Sequence, residues 1–166
     1  NLCCALIGNG NYASTTLNQL EQSRFEIASI KGKRLTLIND SERYGGSAQI
    51  FKALTGGDNL RFEEKNKNVG EPFVYTGMVM VCANEPIQTT DNTSGLTRRR
   101  LTIEFNRSLW DKNSEAVEMI KLENGEVNGL WKSYLPGLVN WVLEMDTKKM
   151  REYLLDTYEK VDHLRT

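Results

Sequence analysis

Three groups of polar residues in this 166-residue chain have types and positions that could act together. Asp40 and Glu42 follow the apolar run Leu35-Thr36-Leu37-Ile38, with Asn39 between the run and Asp40. A carboxylate at that position can bind Mg²⁺ directly or through water, and can polarise a water molecule. Asn84 follows a second apolar run, Met78 to Ala83. Its amide is both donor and acceptor, so it can orient such a water against a terminal phosphate. Arg98, Arg99 and Arg100 precede a third run, Leu101-Thr102-Ile103-Glu104-Phe105. Their guanidinium groups can stabilise charge on a phosphoryl group in transfer, in cis or in a neighbouring subunit. Lys65 and Lys67 sit in a polar stretch between two strand-like arms, where they can contact a nucleic-acid backbone. Each group has a plainer alternative. Asp40 and Glu42 can solvate a strand end, Lys67 a loop, and Arg99 or Arg100 can lay an aliphatic stem over a sheet. Their order along the chain is the stronger signal, because together they form a nucleotide-hydrolysing site without its phosphate cradle.

The elements that must hold these groups are legible in outline. An apolar run bounded by polar residues reads as a buried strand, usually a parallel one, and open α/β sheets bind ligands at the carboxyl ends of such strands. Strands are therefore expected near 34–39, 78–83 and 101–105. The opening residues Leu2, Cys3, Leu6 and Ile7 have helical spacing, and Gly8-Asn9-Gly10 ends that helix. Tyr12 to Ser14 reads as a short loop, and Thr15 or Thr16 can cap a helix carrying Leu17 and Leu20. Residues 24–30 fit either a helical turn or a strand, closed by Gly32. A short helix from Ser47 carries Ile50, Phe51 and Leu54 and stops at Gly56-Gly57. Leu60 to Glu63 and Phe73 to Tyr75 alternate around a polar, glycine-containing tip and read as a β-hairpin. Later, Ser114 can cap a helix through Ile120 and Lys121 that closes at Asn124-Gly125. Pro136 suits the first turn of another helix, and a last amphipathic helix starts near Thr147. Trp131, Trp141 and the helical methionines are expected in the core.

Composition bounds the partners. There are 21 Lys and Arg against 22 Asp and Glu, a net charge of −1, so any nucleic-acid surface must be local. Three cysteines, two of them adjacent, make no disulfide framework, and with the lone His163 they make no zinc-ligand spacing. No apolar stretch reaches the about 18 residues that span a bilayer. A cytoplasmic protein without a membrane partner is expected.

Several motifs together resemble the superfamily 3 helicases of phage and plasmid primase–helicases. The resemblance is carried by Asn39-Asp40-Ser41-Glu42-Arg43-Tyr44-Gly45-Gly46 and Phe51-Lys52-Ala53-Leu54-Thr55-Gly56-Gly57-Asp58. Cys82-Ala83-Asn84-Glu85-Pro86-Ile87, Ser94 to Arg100, and Leu135-Pro136-Gly137-Leu138-Val139-Asn140-Trp141 extend it. It implies an α/β fold of the AAA+ P-loop NTPase type with a β-hairpin insertion and C-terminal helices. Residues 1–112 would be a partial core and 113–166 a helical part. Asp40 would be the Walker B acid and Mg²⁺ ligand, with Glu42 a second candidate. Asn84 would be the sensor of the ATP γ-phosphate, and one of Arg98, Arg99 and Arg100 the arginine finger. Lys52, Asp58, Lys65 and Lys67 fall in the motif whose hairpin meets DNA, so Lys52, Lys65 and Lys67 are the DNA-binding candidates. The implied partners are single-stranded or replication-origin DNA and further copies in a ring, most simply a hexamer. One departure matters. No Gly-x-x-x-x-Gly-Lys-Ser/Thr occurs here, so the phosphate loop and its strand are expected upstream of Asn1, and residues 1–166 alone are expected to be inactive.

Two classes of function remain open on these residues. One is part of an ATP-driven, ring-forming DNA helicase. The other is a non-catalytic DNA-binding or assembly module with vestigial motifs.

Overall fold

The computed structural model describes residues 1–39, 49–63, 70–84, 100–103, 105 and 119–152. The chain divides into two compact units, one of residues 7–99 and one of residues 1–6 with 100–166. The first is mixed α/β, built on three parallel strands. Strand β1 (Tyr12–Thr15) pairs with β2 (Leu35–Asn39), and β2 pairs with β5 (Met78–Cys82), in the order β1-β2-β5. Leu35 and Ile38 are fully enclosed, as expected for a central parallel strand covered on both faces.

Tyr12 to Ser14, expected as a loop, lie with Thr15 in an edge strand. Its residues carry no apolar run, so its pairing comes from neighbours: the Asn11 carbonyl accepts from Arg34 and Leu35 N–H groups, and Lys33 Nζ donates to the Gly10 carbonyl. Helix α1 (Leu2–Ile7) ends at Gly8, whose φ of +89° suits glycine. Two short helices follow β1. Thr16 caps α2 (Leu17–Gln22), its hydroxyl accepting from the Gln19 N–H, and Ser23 caps α3 (Arg24–Ile30) through the Glu26 N–H. The ambiguous stretch at 24–30 is thus a helix, closed before Gly32.

Helix α4 (Gln49–Gly56) buries Phe51 and Leu54. The hairpin arms pair where expected, and among the described residues the antiparallel pairing joins Asn59–Leu60 (β3) to Phe73–Val74 (β4). Leu17, Leu20, Ile27, Ile30, Ile38, Phe51, Leu54, Leu60, Phe62 and Tyr75 make one apolar core, with Val79 and Val81 of β5 against it. Phe62 is 1% exposed, edge-on to Phe73 at 5.6 Å and beneath the Lys31 ammonium at 4.3 Å. Helices and hairpin are therefore held on the sheet by shared apolar burial rather than by charge. The exposed Arg24–Glu63 pair at 2.9 Å adds little.

In the second unit, three expectations fail. The residues 121–125, expected to end a helix, form a hairpin: β6 (Lys121–Glu123) pairs antiparallel with β7 (Glu126–Asn128). Asn124 and Gly125 have φ of +51° and +83°, the two consecutive positive values of a tight hairpin turn. Asn-Gly is a helix stop and also the strongest two-residue hairpin signal, and here the second role wins. The proposed helix start at Ser114 lies outside the described residues. The expected third strand is absent at Leu101, Thr102 and Ile103, which pair with no described strand; Ile103 is 67% exposed. Pro136 does lie in the first turn of helix α5 (Leu135–Leu143), which follows a single 3₁₀ turn at Lys132–Tyr134. However, α5 buries no residue, and Trp131 and Trp141 are exposed rather than core. Residues 147–152 are helical. Among the described residues no helix is long and apolar enough to cross a membrane.

Candidate functional site

Parallel strands run in one direction, so β1, β2 and β5 all deliver their following residues to the same end of the sheet. The register pairs Thr15 with Ile38 and Asn39 with Cys82. Adjacent strands lie about 4.8 Å apart. Asn39 immediately precedes Asp40, and Cys82 stands two residues before Asn84. The chain is thus led to Asp40 and to Asn84 from neighbouring strands at the carboxyl end of one sheet. Asp40 itself, like Glu42, Lys65, Lys67, Arg98 and Arg99, lies outside the described residues.

Polar side chains meet at this end. The Asn39 amide donates to Ser14 Oγ at 2.9 Å, linking β2 to β1 across the strand ends. Asn84 is exposed. Lys52 is half-buried on α4, and Asp58 is exposed just beyond it, its N–H bonded to the Ala53 carbonyl. Arg100 is half-buried and belongs to the second unit, whereas Asn84 belongs to the first. Sequence order therefore brings Asn84 to the strand ends, while Arg100 enters a separate compact unit.

At the opposite ends of the same strands is a group that the motifs did not single out. Tyr75, 5% exposed, follows the hairpin arm β4. Its hydroxyl accepts from Thr36 Oγ1 at 2.9 Å and donates to the Met78 carbonyl at 3.1 Å. Thr36 is fully buried, so this bond satisfies a hydroxyl that would otherwise be costly. Burial raises the Tyr75 hydroxyl above the ordinary tyrosine value of 10.0, against a smaller lowering by the Thr36 hydrogen bond. Gly77 makes room for the arrangement: a Cβ there would press on the Tyr75 hydroxyl and lie 2.6 Å from the Lys33 carbonyl oxygen. The available signal in the sequence was the Phe73/Tyr75 alternation followed by glycine.

Cys3, Cys4 and Cys82 form no disulfide. Among the described residues no group of three His, Cys, Asp or Glu side chains could hold a metal ion. In the second unit Leu130, Trp131, Tyr134, Leu135, Gly137 and Leu138 line an open apolar cavity of about 620 Å³.

The chain is 28% identical over 122 residues to the uncharacterized mitochondrial protein ymf20 of Marchantia polymorpha, covering 74% of this chain and 71% of that protein. Residues 1–100 match DUF5906, a family of unknown function, and the chain belongs to that family.

Proposed function

We propose that the chain is part of an ATP-hydrolysing DNA helicase core of the AAA+ type, of the superfamily 3 kind used in phage or plasmid replication. The observation that carries this reading is the parallel pairing of β2 with β5 in the register Asn39 with Cys82. It supports Asp40 and Asn84 acting at one end of a sheet, where open parallel sheets bind ligands. In this reading Asp40 is the acid, with Glu42 a second candidate, and Asn84 orients the attacking water. One of Arg98, Arg99 and Arg100 places a guanidinium on the reacting phosphate, within a homo-oligomeric ring. Lys52, Lys65 and Lys67 meet the DNA backbone.

The polar atoms at the strand ends are hydroxyl and amide groups beside a carboxylate position, a donor set that suits Mg²⁺ and phosphate rather than a soft metal. MgATP supplies the phosphoryl group for transfer; Asp40 would hold its metal, together with a phosphate loop that this reading places upstream of Asn1. Residues 1–166 alone should not turn over ATP, because Asp40 meets phosphates only through a metal and the amide-and-lysine cradle is missing.

The test is a protein extended upstream through a Gly-Lys-Ser/Thr loop, assayed for magnesium-dependent phosphate release. It should hydrolyse ATP, and Asp40→Asn should reduce the rate to background. Lys65→Ala with Lys67→Ala should weaken single-strand DNA binding and lower its salt slope by about 1–2, leaving DNA-free hydrolysis intact. Undiminished hydrolysis by Asp40→Asn, or robust turnover by residues 1–166 alone, would refute the reading. The second reading, a non-catalytic assembly module, is favoured by one feature: the exposed apolar side chains of Leu130, Trp131, Tyr134 and Trp141.

A further inference from the structure

Only Tyr75, Thr76 and Gly77 separate the hairpin arm β4 from the strand β5 that leads to Asn84. A three-residue connection with a glycine would ordinarily flex, and motion of the hairpin would be absorbed there. Here it is pinned. The Tyr75 ring packs in the core with Leu60 and Phe62 of the other hairpin side, and with Phe73 of its own arm. Its hydroxyl is bonded to Thr36 in β2 and to Met78 at the start of β5. Gly77 sits against that hydroxyl and the Lys33 carbonyl, and the Met78 N–H donates to the Arg34 carbonyl at 2.8 Å. One side chain therefore joins the hairpin to both strands that lead toward Asp40 and Asn84.

We infer that Tyr75 is a positioning residue: its hydroxyl stiffens the joint so that displacement of the hairpin is passed to β2 and β5 instead of being lost at residues 75–77. The functional consequence rests on the reading above, in which the hairpin meets DNA and the strand ends act on nucleotide. DNA bound at the hairpin then changes the hydrolysis rate through this joint. The hydroxyl contributes no proton and touches no reacting atom.

The test uses Tyr75→Phe, which keeps the ring and removes both hydrogen bonds, and the double variant Tyr75→Phe/Thr36→Val, which also removes the stranded partner. In the 166-residue chain, amide hydrogen exchange at Val74 and at Met78 to Cys82 should quicken about 5–30-fold in both variants, while Leu20 in α2 is unchanged. In the upstream-extended protein, basal ATP hydrolysis should stay within about twofold, and its stimulation by single-stranded DNA should fall several-fold with DNA affinity retained. The double variant should recover thermal stability, since no buried hydroxyl is left unpaired, without recovering stimulation. Unchanged exchange around the joint would overturn the inference. So would stimulation that returns together with stability in the double variant, since the hydroxyl would then only be structural. If the unmutated protein shows no DNA-stimulated hydrolysis, the proposed function fails, and the exchange measurement still decides whether the joint is stiffened by Tyr75.

Discussion

Replacing Gly77 by alanine probes the closest packing around the pinned joint. The added Cβ would meet the Tyr75 hydroxyl and would lie 2.6 Å from both Tyr75 Cζ and the Lys33 carbonyl oxygen. None of these can move cheaply. Tyr75 is 5% exposed and bonded at both ends of its hydroxyl, and Lys33 belongs to the backbone that enters β2. Forcing a methyl into such a site costs about 1–3 kcal/mol. If the tyrosine moves aside, each of its two hydrogen bonds adds about 1 kcal/mol. A loss of about 2–4 kcal/mol follows. In a unit of this size 1 kcal/mol corresponds to roughly 4–8 °C in Tm, so the melting temperature should fall by about 10–25 °C. Thermal unfolding followed by far-UV circular dichroism measures it. Gly57→Ala is the control, because Gly57 has φ of +78° but nothing within 4 Å of an added Cβ. It should cost only the left-handed strain, about 1 kcal/mol. A Gly77→Ala protein that melts within about 2 °C of the parent, or above Gly57→Ala, would refute the packing argument.

Two further outcomes follow from the same core. Phe62→Ala, at a ring 1% exposed that packs on Phe73 and under Lys31, should destabilise the first unit by about 3–5 kcal/mol, read from the urea midpoint at constant slope. The raised Tyr75 value fixes a sign: with the folded hydroxyl holding its proton above the ordinary value of 10.0, the unfolded state loses a proton first as pH rises. Its contribution is therefore complete below about pH 10 and declines as pH rises beyond it. Tyr75→Phe should flatten the alkaline limb of stability against pH, and an unchanged limb would contradict burial as the cause.

Two strands were legible because their residues suffice to define them. Leu35 to Ile38 and Met78 to Val81 are apolar runs closed by polar residues or proline, and water exclusion alone makes such runs seek a sheet interior. The helix Gln49–Gly56 was likewise readable, since Gly57 supplies a positive φ where the helix must stop. The residues that carry the helicase resemblance could be read in order for the same local reason: each group is a strand end or turn whose residues are adjacent in sequence. What local sequence could not decide was pairing. Tyr12–Thr15 becomes a strand through backbone bonds offered by residues 34–38, whereas Leu101 to Ile103, with the better strand composition, remain unpaired among the described residues. Asn124-Gly125 is compatible with ending a helix or turning a hairpin, and only the flanking register of Lys121–Glu123 on Glu126–Asn128 selects the hairpin. The Thr36–Tyr75–Met78 link spans 39 residues of sequence, so no window along the chain contains it. Propensity and patterning are properties of neighbours in sequence. Hydrogen-bond partners and shared burial belong to neighbours in space, and the tertiary fold alone brings those together.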